Sequence, residues 1–249
     1  MAGERRLDRE VPGQVLPDHE TGEFPNEGNP NSISEQDLTW DFPIEATFTG
    51  DAVEARVPGV AVNGVKFEPG TAETVTCESG ETVRIEALQE VYDLGIDMNN
   101  AHVQPTGEYH YHGIADVLAQ AYDAGEDLVH LGFAADGHLI YYSMSGAYSS
   151  GYALADEART GTGCVASGPG GATLDLEGTA PDGTYDTDWV FDEANGDLDE
   201  CNGTEIDGEY VYLITDEYPF ISRCLNGEFT EEGPPAGGAP PGGAGAPPA

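Results

Sequence analysis

Apolar and polar residues alternate in short runs through the middle of the chain, with Gly, Pro or Asp between one run and the next, a pattern of strands joined by tight turns. Such runs occupy residues 46–49, 53–57, 60–62, 65–67 and 83–87. Asn63-Gly64 stands where a two-residue hairpin needs left-handed backbone. Residues 129–134 and 139–143 form a further pair, joined by Asp136-Gly137. One segment changes to the helical period. Ile114, Val117, Leu118, Ala121 and Tyr122 share a face, which predicts a helix over 114–122. The pattern as a whole predicts a mainly β fold, a sandwich or compact barrel-like domain with one or two short helices.

The two ends lack any sustained period. Residues 1–40 are polar, rich in Pro, Asn, Gly and Glu, and read as a disordered or loosely draped acidic arm; residues 233–249 contain only Gly, Pro and Ala and read as a flexible tail. A single domain over 41–232 remains. Within it, residues 94–113 recur imperfectly as 195–214. With one residue deleted, Asp97-Met98-Asn99-Asn100-Ala101-His102 through Gly107-Glu108-Tyr109-His110-Tyr111-His112 aligns with Asp199-Glu200-Cys201-Asn202-Gly203-Thr204 through Gly208-Glu209-Tyr210-Val211-Tyr212-Leu213. The Asp, Asn, Gly-Glu and alternating Tyr recur, whereas all three histidines are replaced.

Composition narrows the functional classes. With 47 Asp plus Glu against 8 Lys plus Arg, the formal net charge is -39, and Lys66 is the only lysine. Such a chain repels nucleic acid and anionic lipid, which are held by clustered basic residues. Disordered chains of this charge are poor in aromatic residues, yet 12 Tyr and 8 Phe are present here. The composition is that of a folded protein of a salt-loving organism such as a haloarchaeon. Carboxylate repulsion is screened over about 3 Å at molar salt, so the melting temperature is expected to rise between roughly 0.1 M and several molar KCl. A thermal scan that is flat or falling over that range refutes the inference.

Five of the six histidines lie between residues 102 and 138. His110 and His112 share one face of an extended segment, with Tyr109 and Tyr111 on the other. With His102 they offer three ligands for Zn²⁺, and Cu²⁺ is a serious rival wherever it is available. Asp97 or Asp136 is a carboxylate suited to fixing a histidine or completing the shell. The alternative use is structural, with the imidazoles bonded to backbone. His130 and His138 are expected to be satisfied or surface histidines. Residues 182–199, with Asp186, Asp188, Asp192, Glu193, Asn195, Asp197 and Asp199, are dense enough in oxygen ligands for Ca²⁺ but do not follow the EF-hand register; a solvated loop is the simpler reading. Gly-x-Ser-x-Gly, His-Glu-x-x-His and phosphate-cradling loops are absent. A metal-dependent hydrolase, with Glu108 as general base, is thus a remote reading.

Leu94-Gly95-Ile96-Asp97, Asn100 to Glu108 and the Tyr-His-Tyr-His core that follows resemble the YHYH family, named for those four residues. The run Gly132 to Tyr141 is similar to that family's G-x-A-x-D-G-F-P-I-Y segment, with His138 and Leu139 in place of Phe-Pro. Leu198 to Gly203, Tyr218-Pro219-Phe220 and Cys224 resemble its C-terminal segment, so the likeness spans about residues 60 to 228. It implies a secreted or envelope-associated protein of largely undefined biochemistry; the residues themselves leave a metal-binding module or, alternatively, a structural, glycan-binding or partner-binding one. On that resemblance Cys201 pairs with Cys224, and Cys77 with Cys164 by elimination; four free thiols in a cytoplasmic protein are the alternative. No apolar stretch approaches a membrane span, and neither a signal peptide nor a twin-arginine leader is visible. An extracellular or cell-surface site is expected from the resemblance, with the cytoplasm as the alternative.

Overall fold

The computed structural model describes residues 8–167 and 173–230, with side chains from residue 16 onward. The expected Gly/Pro/Ala tail lies outside the described residues. The fold is mainly β, as the alternation predicts. Its largest element is an open eight-stranded sheet, in the order Gly203–Ile206, Glu209–Ile214, Leu139–Ser143, Leu128–Ala134, Gly59–Ala61, Lys66–Phe67, Tyr109–Tyr111, Ala101–Val103.

This order has an internal twofold relation. In each half a hairpin turns at an Asx-Gly pair: Gly64 (φ 88°) donates its N–H to the Ala61 carbonyl at 2.8 Å, and Gly137 (φ 90°) to Ala134 at 2.9 Å. A second hairpin then joins the first through a parallel pair, Lys66–Phe67 beside Tyr109–Tyr111 in one half and Leu139–Ser143 beside Glu209–Ile214 in the other. The halves meet in an antiparallel pair where Gly59 faces Ala134, Val60 faces Phe133 and Ala61 faces Gly132. Both glycines are required there. A Cβ on Gly59 would stand 2.3 Å from the Phe133 carbonyl oxygen, and one on Gly132 2.5 Å from that of Val60.

The connections between the hairpins of each half build a second sheet. Thr74–Thr76 and Thr82–Arg84 come from the first connection, Cys164–Ala166 and Thr173–Leu174 from the second. The disulfide Cys77–Cys164 ties these connections together, and Cys201–Cys224 ties the second half to the strand Cys224–Gly227, so both expected pairings are present. One core gathers Phe67, Tyr109, Tyr111, Leu131, Ile140 and Tyr212, and the helix Asp116–Tyr122 adds Leu118 and Ala119 to it. That helix begins two residues later than its apolar face suggests, because Ala115 is extended (φ -97°, ψ 108°). Phe48–Glu54 is one strand rather than two; the backbone passes Gly50 at φ 73°, and a register shift opposite it, between Leu225 and Gly227, absorbs the irregularity.

The N-terminal arm pairs Asp8–Val15 with Gln36–Pro43, and residues 16–35 between them are irregular yet anchored. Amide groups of Asn29 and Asn31 both donate to the Val103 carbonyl, at 2.9 and 2.7 Å, and the Ser34 N–H donates to the Gly107 carbonyl at 2.9 Å. These bonds cover backbone that the edge hairpin would otherwise leave unpaired.

Candidate metal centre

On the strand Tyr109–Tyr111 and its continuation, His110 and His112 face one side of the sheet and the two tyrosines face the other. His102, on Ala101–Val103, is opposite His110 in antiparallel register, and Lys66 flanks His110 in parallel register. Pleat and register alone bring the three imidazoles together. Their ring centroids are 4.6, 4.7 and 4.8 Å apart in pairs, with the planes steeply inclined. One nitrogen from each ring lies within 4.8 Å of the others, and among the described residues this is the one such group of three or more His, Cys, Asp or Glu.

Hydrogen bonds set two of the tautomers. His102 Nδ1–H donates to the Leu94 carbonyl at 2.9 Å and His110 Nδ1–H to the Glu108 carbonyl at 3.3 Å, which leaves both Nε2 atoms as lone-pair donors. His112 is fully buried, and neither of its nitrogens makes a well-formed hydrogen bond; the Pro69 carbonyl alone pulls weakly against its burial. Leaving such a group unsatisfied costs about 1–3 kcal/mol.

Burial is the main cause that holds His110 and His112 well below the usual imidazole range; the neighbouring rings and Lys66, and Arg223 for His112, add to it, against the weaker pull of the Glu108 and Pro69 carbonyls. Burial also lowers His102, against the opposing pull of the Leu94 carbonyl and the carboxylates of Glu73, Glu68 and Asp97. The triad is therefore neutral at pH 7, the form that ligates metal. The same shifts set a pH dependence. Below about pH 6.5 the unfolded chain binds protons at these histidines and the folded chain does not, so stability falls as the pH falls, by up to about 1.4 kcal/mol per pH unit for each ring. Denaturant titrations of metal-free protein between about pH 7.5 and 5.5 should show this slope; a flat profile would mean that the folded rings accept protons.

Asp97 is not brought into the group. Its carboxylate accepts from the N–H groups of Gly22 and Asn99, each at 2.9 Å, and from the Tyr109 hydroxyl at 2.7 Å, so it anchors the arm and the tyrosine face. Asp136, the other candidate carboxylate, is buried and accepts from the Tyr212 hydroxyl at 2.6 Å. Glu108 is held by Gln104 at 2.6 Å and by Lys66 at 3.2 Å, which leaves it engaged rather than poised as a base. Lys66 also pairs with Glu68 at 2.6 Å and donates to the Gln104 side-chain carbonyl at 2.8 Å. This buried network on the triad's flank was foreshadowed only by Lys66 being the sole lysine.

His130 bonds to the Gly132 carbonyl and His138 Nδ1–H to the Tyr210 carbonyl, and neither belongs to the group. The acidic stretch 182–199 does not assemble a calcium cage. Arg159 clamps Asp182 and Asp188, Asp186 receives the Arg84 N–H, Asp197 receives Ser149, and Asp199 receives Tyr210.

The second half provides an internal comparison. Asn100 and Asn202 both adopt positive φ (53° and 60°), and their carbonyls accept the N–H of His112 and Leu213, each at 2.8 Å. Tyr210 bonds to Asp199 at 2.6 Å as Tyr109 does to Asp97. In the places of His110 and His112, however, Val211 and Leu213 join Leu198 in an apolar cluster with Tyr141 against it. The hairpin architecture does not require imidazole.

A family model described as YHYH protein matches residues 39–227. No curated protein and no solved structure matches the chain.

Proposed function

The chain belongs to the YHYH family, and from that premise we propose that it is an extracytoplasmic metal-binding module whose His102, His110 and His112 hold one Zn²⁺ or Cu²⁺ ion. The observation that carries this reading is the buried His112, neither of whose nitrogens makes a well-formed hydrogen bond, beside two rings whose Nε2 lone pairs are left open. Outside the group, His130 and His138 each have one ring nitrogen bonded to a backbone carbonyl, which His112 does not have in well-formed geometry. Three imidazoles fit both metals, and a fourth position is left for solvent or a ligand. The two disulfides support an oxidising compartment. Among the described residues no helix is long and apolar enough to cross a membrane. The engagement of Glu108 by Lys66 and Gln104 favours binding over hydrolysis.

Untagged protein loaded with Zn²⁺ or Cu²⁺ and then desalted should retain about one equivalent by elemental analysis, as expected of a site with three imidazole ligands. Replacing His110 and His112 together by Ala should abolish retention while circular dichroism still reports a β fold. Equal retention by both proteins would overturn the assignment.

A further inference from the structure

A cleft of about 390 Å³ opens beside the Glu68–Pro69 segment that borders the triad, and Arg56, Arg84 and Arg223 line it. Side chains of five basic residues are described in this acidic chain. Arg159 is committed to Asp182 and Asp188. The other four also have partners, and three of them, Arg56, Arg84 and Arg223, stand in the cleft wall, with Lys66 beside it against Glu68.

Most of the carboxylates beside the cleft are engaged. Of the carboxylates, Glu68 is paired with Lys66 at 2.6 Å and lies 3.4 Å from Arg56. Asp186 accepts the backbone N–H groups of Arg84 and Thr187, at 3.0 and 2.8 Å. Glu54, on the rim, is the exposed exception. Arg84, in contrast, uses a single donor, Nη1, to the Thr71 carbonyl at 2.6 Å. Arg223 lies 4.7 Å over the Tyr218 ring and gives both terminal nitrogens to Glu86, and its buried Nε–H has no acceptor. A guanidinium fork with unengaged donors matches the oxygens of a carboxylate or phosphate.

We propose that this cleft binds a small oxyanion, with Arg84 as its principal hydrogen-bond donor and Arg56 and Arg223 as cationic walls. The assignment stands independently of the metal. Calorimetric titration of the full chain with citrate and with inorganic phosphate, at matched ionic strength, tests it and separates the two sources of oxyanion. Saturable binding of at least one anion is expected, weakened about tenfold or more by Arg84→Gln, the loss of a charged hydrogen bond. Arg84 is exposed and its backbone bond to Asp186 survives the change, so the variant should fold, as circular dichroism would verify. The His110→Ala, His112→Ala protein should bind the anion as the parent does. Absence of binding by both anions at millimolar concentration, unchanged binding by Arg84→Gln, or loss of binding in the histidine variant would each overturn the proposal.

Discussion

Metal-free His112→Leu is expected to be more stable than the parent by about 1–3 kcal/mol, because the substitution removes two buried nitrogens that lack a well-formed hydrogen bond and supplies an apolar side chain in their place. The second half already makes this choice. Leu213 occupies the corresponding position, with the same backbone bond to its asparagine, and is buried among apolar neighbours. Metal retention should be lost in the same variant. Urea denaturation of the two apo proteins measures the first effect and elemental analysis the second. Stabilisation with loss of metal marks a residue kept for chemistry at the expense of the fold, whereas destabilisation by more than about 1 kcal/mol would mark a packing role.

The largest loss of stability is expected from Cys77→Ser with Cys164→Ser. The bond closes a separation of 87 residues, against 23 for Cys201–Cys224. In the chain-entropy description these loops correspond to about 4–5 and about 3 kcal/mol. The longer bond also fixes the first connection, which carries the Leu94 carbonyl that orients His102. Its removal should therefore weaken metal binding as well as the fold. Denaturant titrations of the two double variants, compared under oxidising conditions, give the order; a smaller loss for Cys77/Cys164 would refute the loop argument.

The triad was legible because strand geometry is local. Two histidines at i and i+2 must share a face wherever the segment is extended, and His102 needed only the hairpin register to meet them. Asp97 was not legible in the same way. Its sequence neighbourhood suggested a ligand, but the turn at Asp97 to Asn100 sends its carboxylate to Tyr109 and to Gly22, a contact 75 residues distant in the chain. The anchored course of residues 16–35 was hidden for a related reason, since asparagines that hydrogen-bond a distant edge look in sequence like any polar loop. The duplication extends beyond the segment in which the residues reveal it. Gly59-Val60-Ala61-Val62-Asn63-Gly64 and Gly132-Phe133-Ala134-Ala135-Asp136-Gly137 share only what the close approach and the turn demand, two glycines, an alanine and an Asx. Strand pairing exposes the kinship that side-chain divergence conceals.

The meeting of Val60 with Phe133 has a further consequence. A chain carrying one half of this sheet could complete it only as a symmetric homodimer, in which both copies of the hairpin would carry identical residues. Joined in one polypeptide, the halves are released from that identity. One half can keep three imidazoles in neighbouring register positions beside a lysine while the other carries threonine, valine and leucine in the places of those imidazoles.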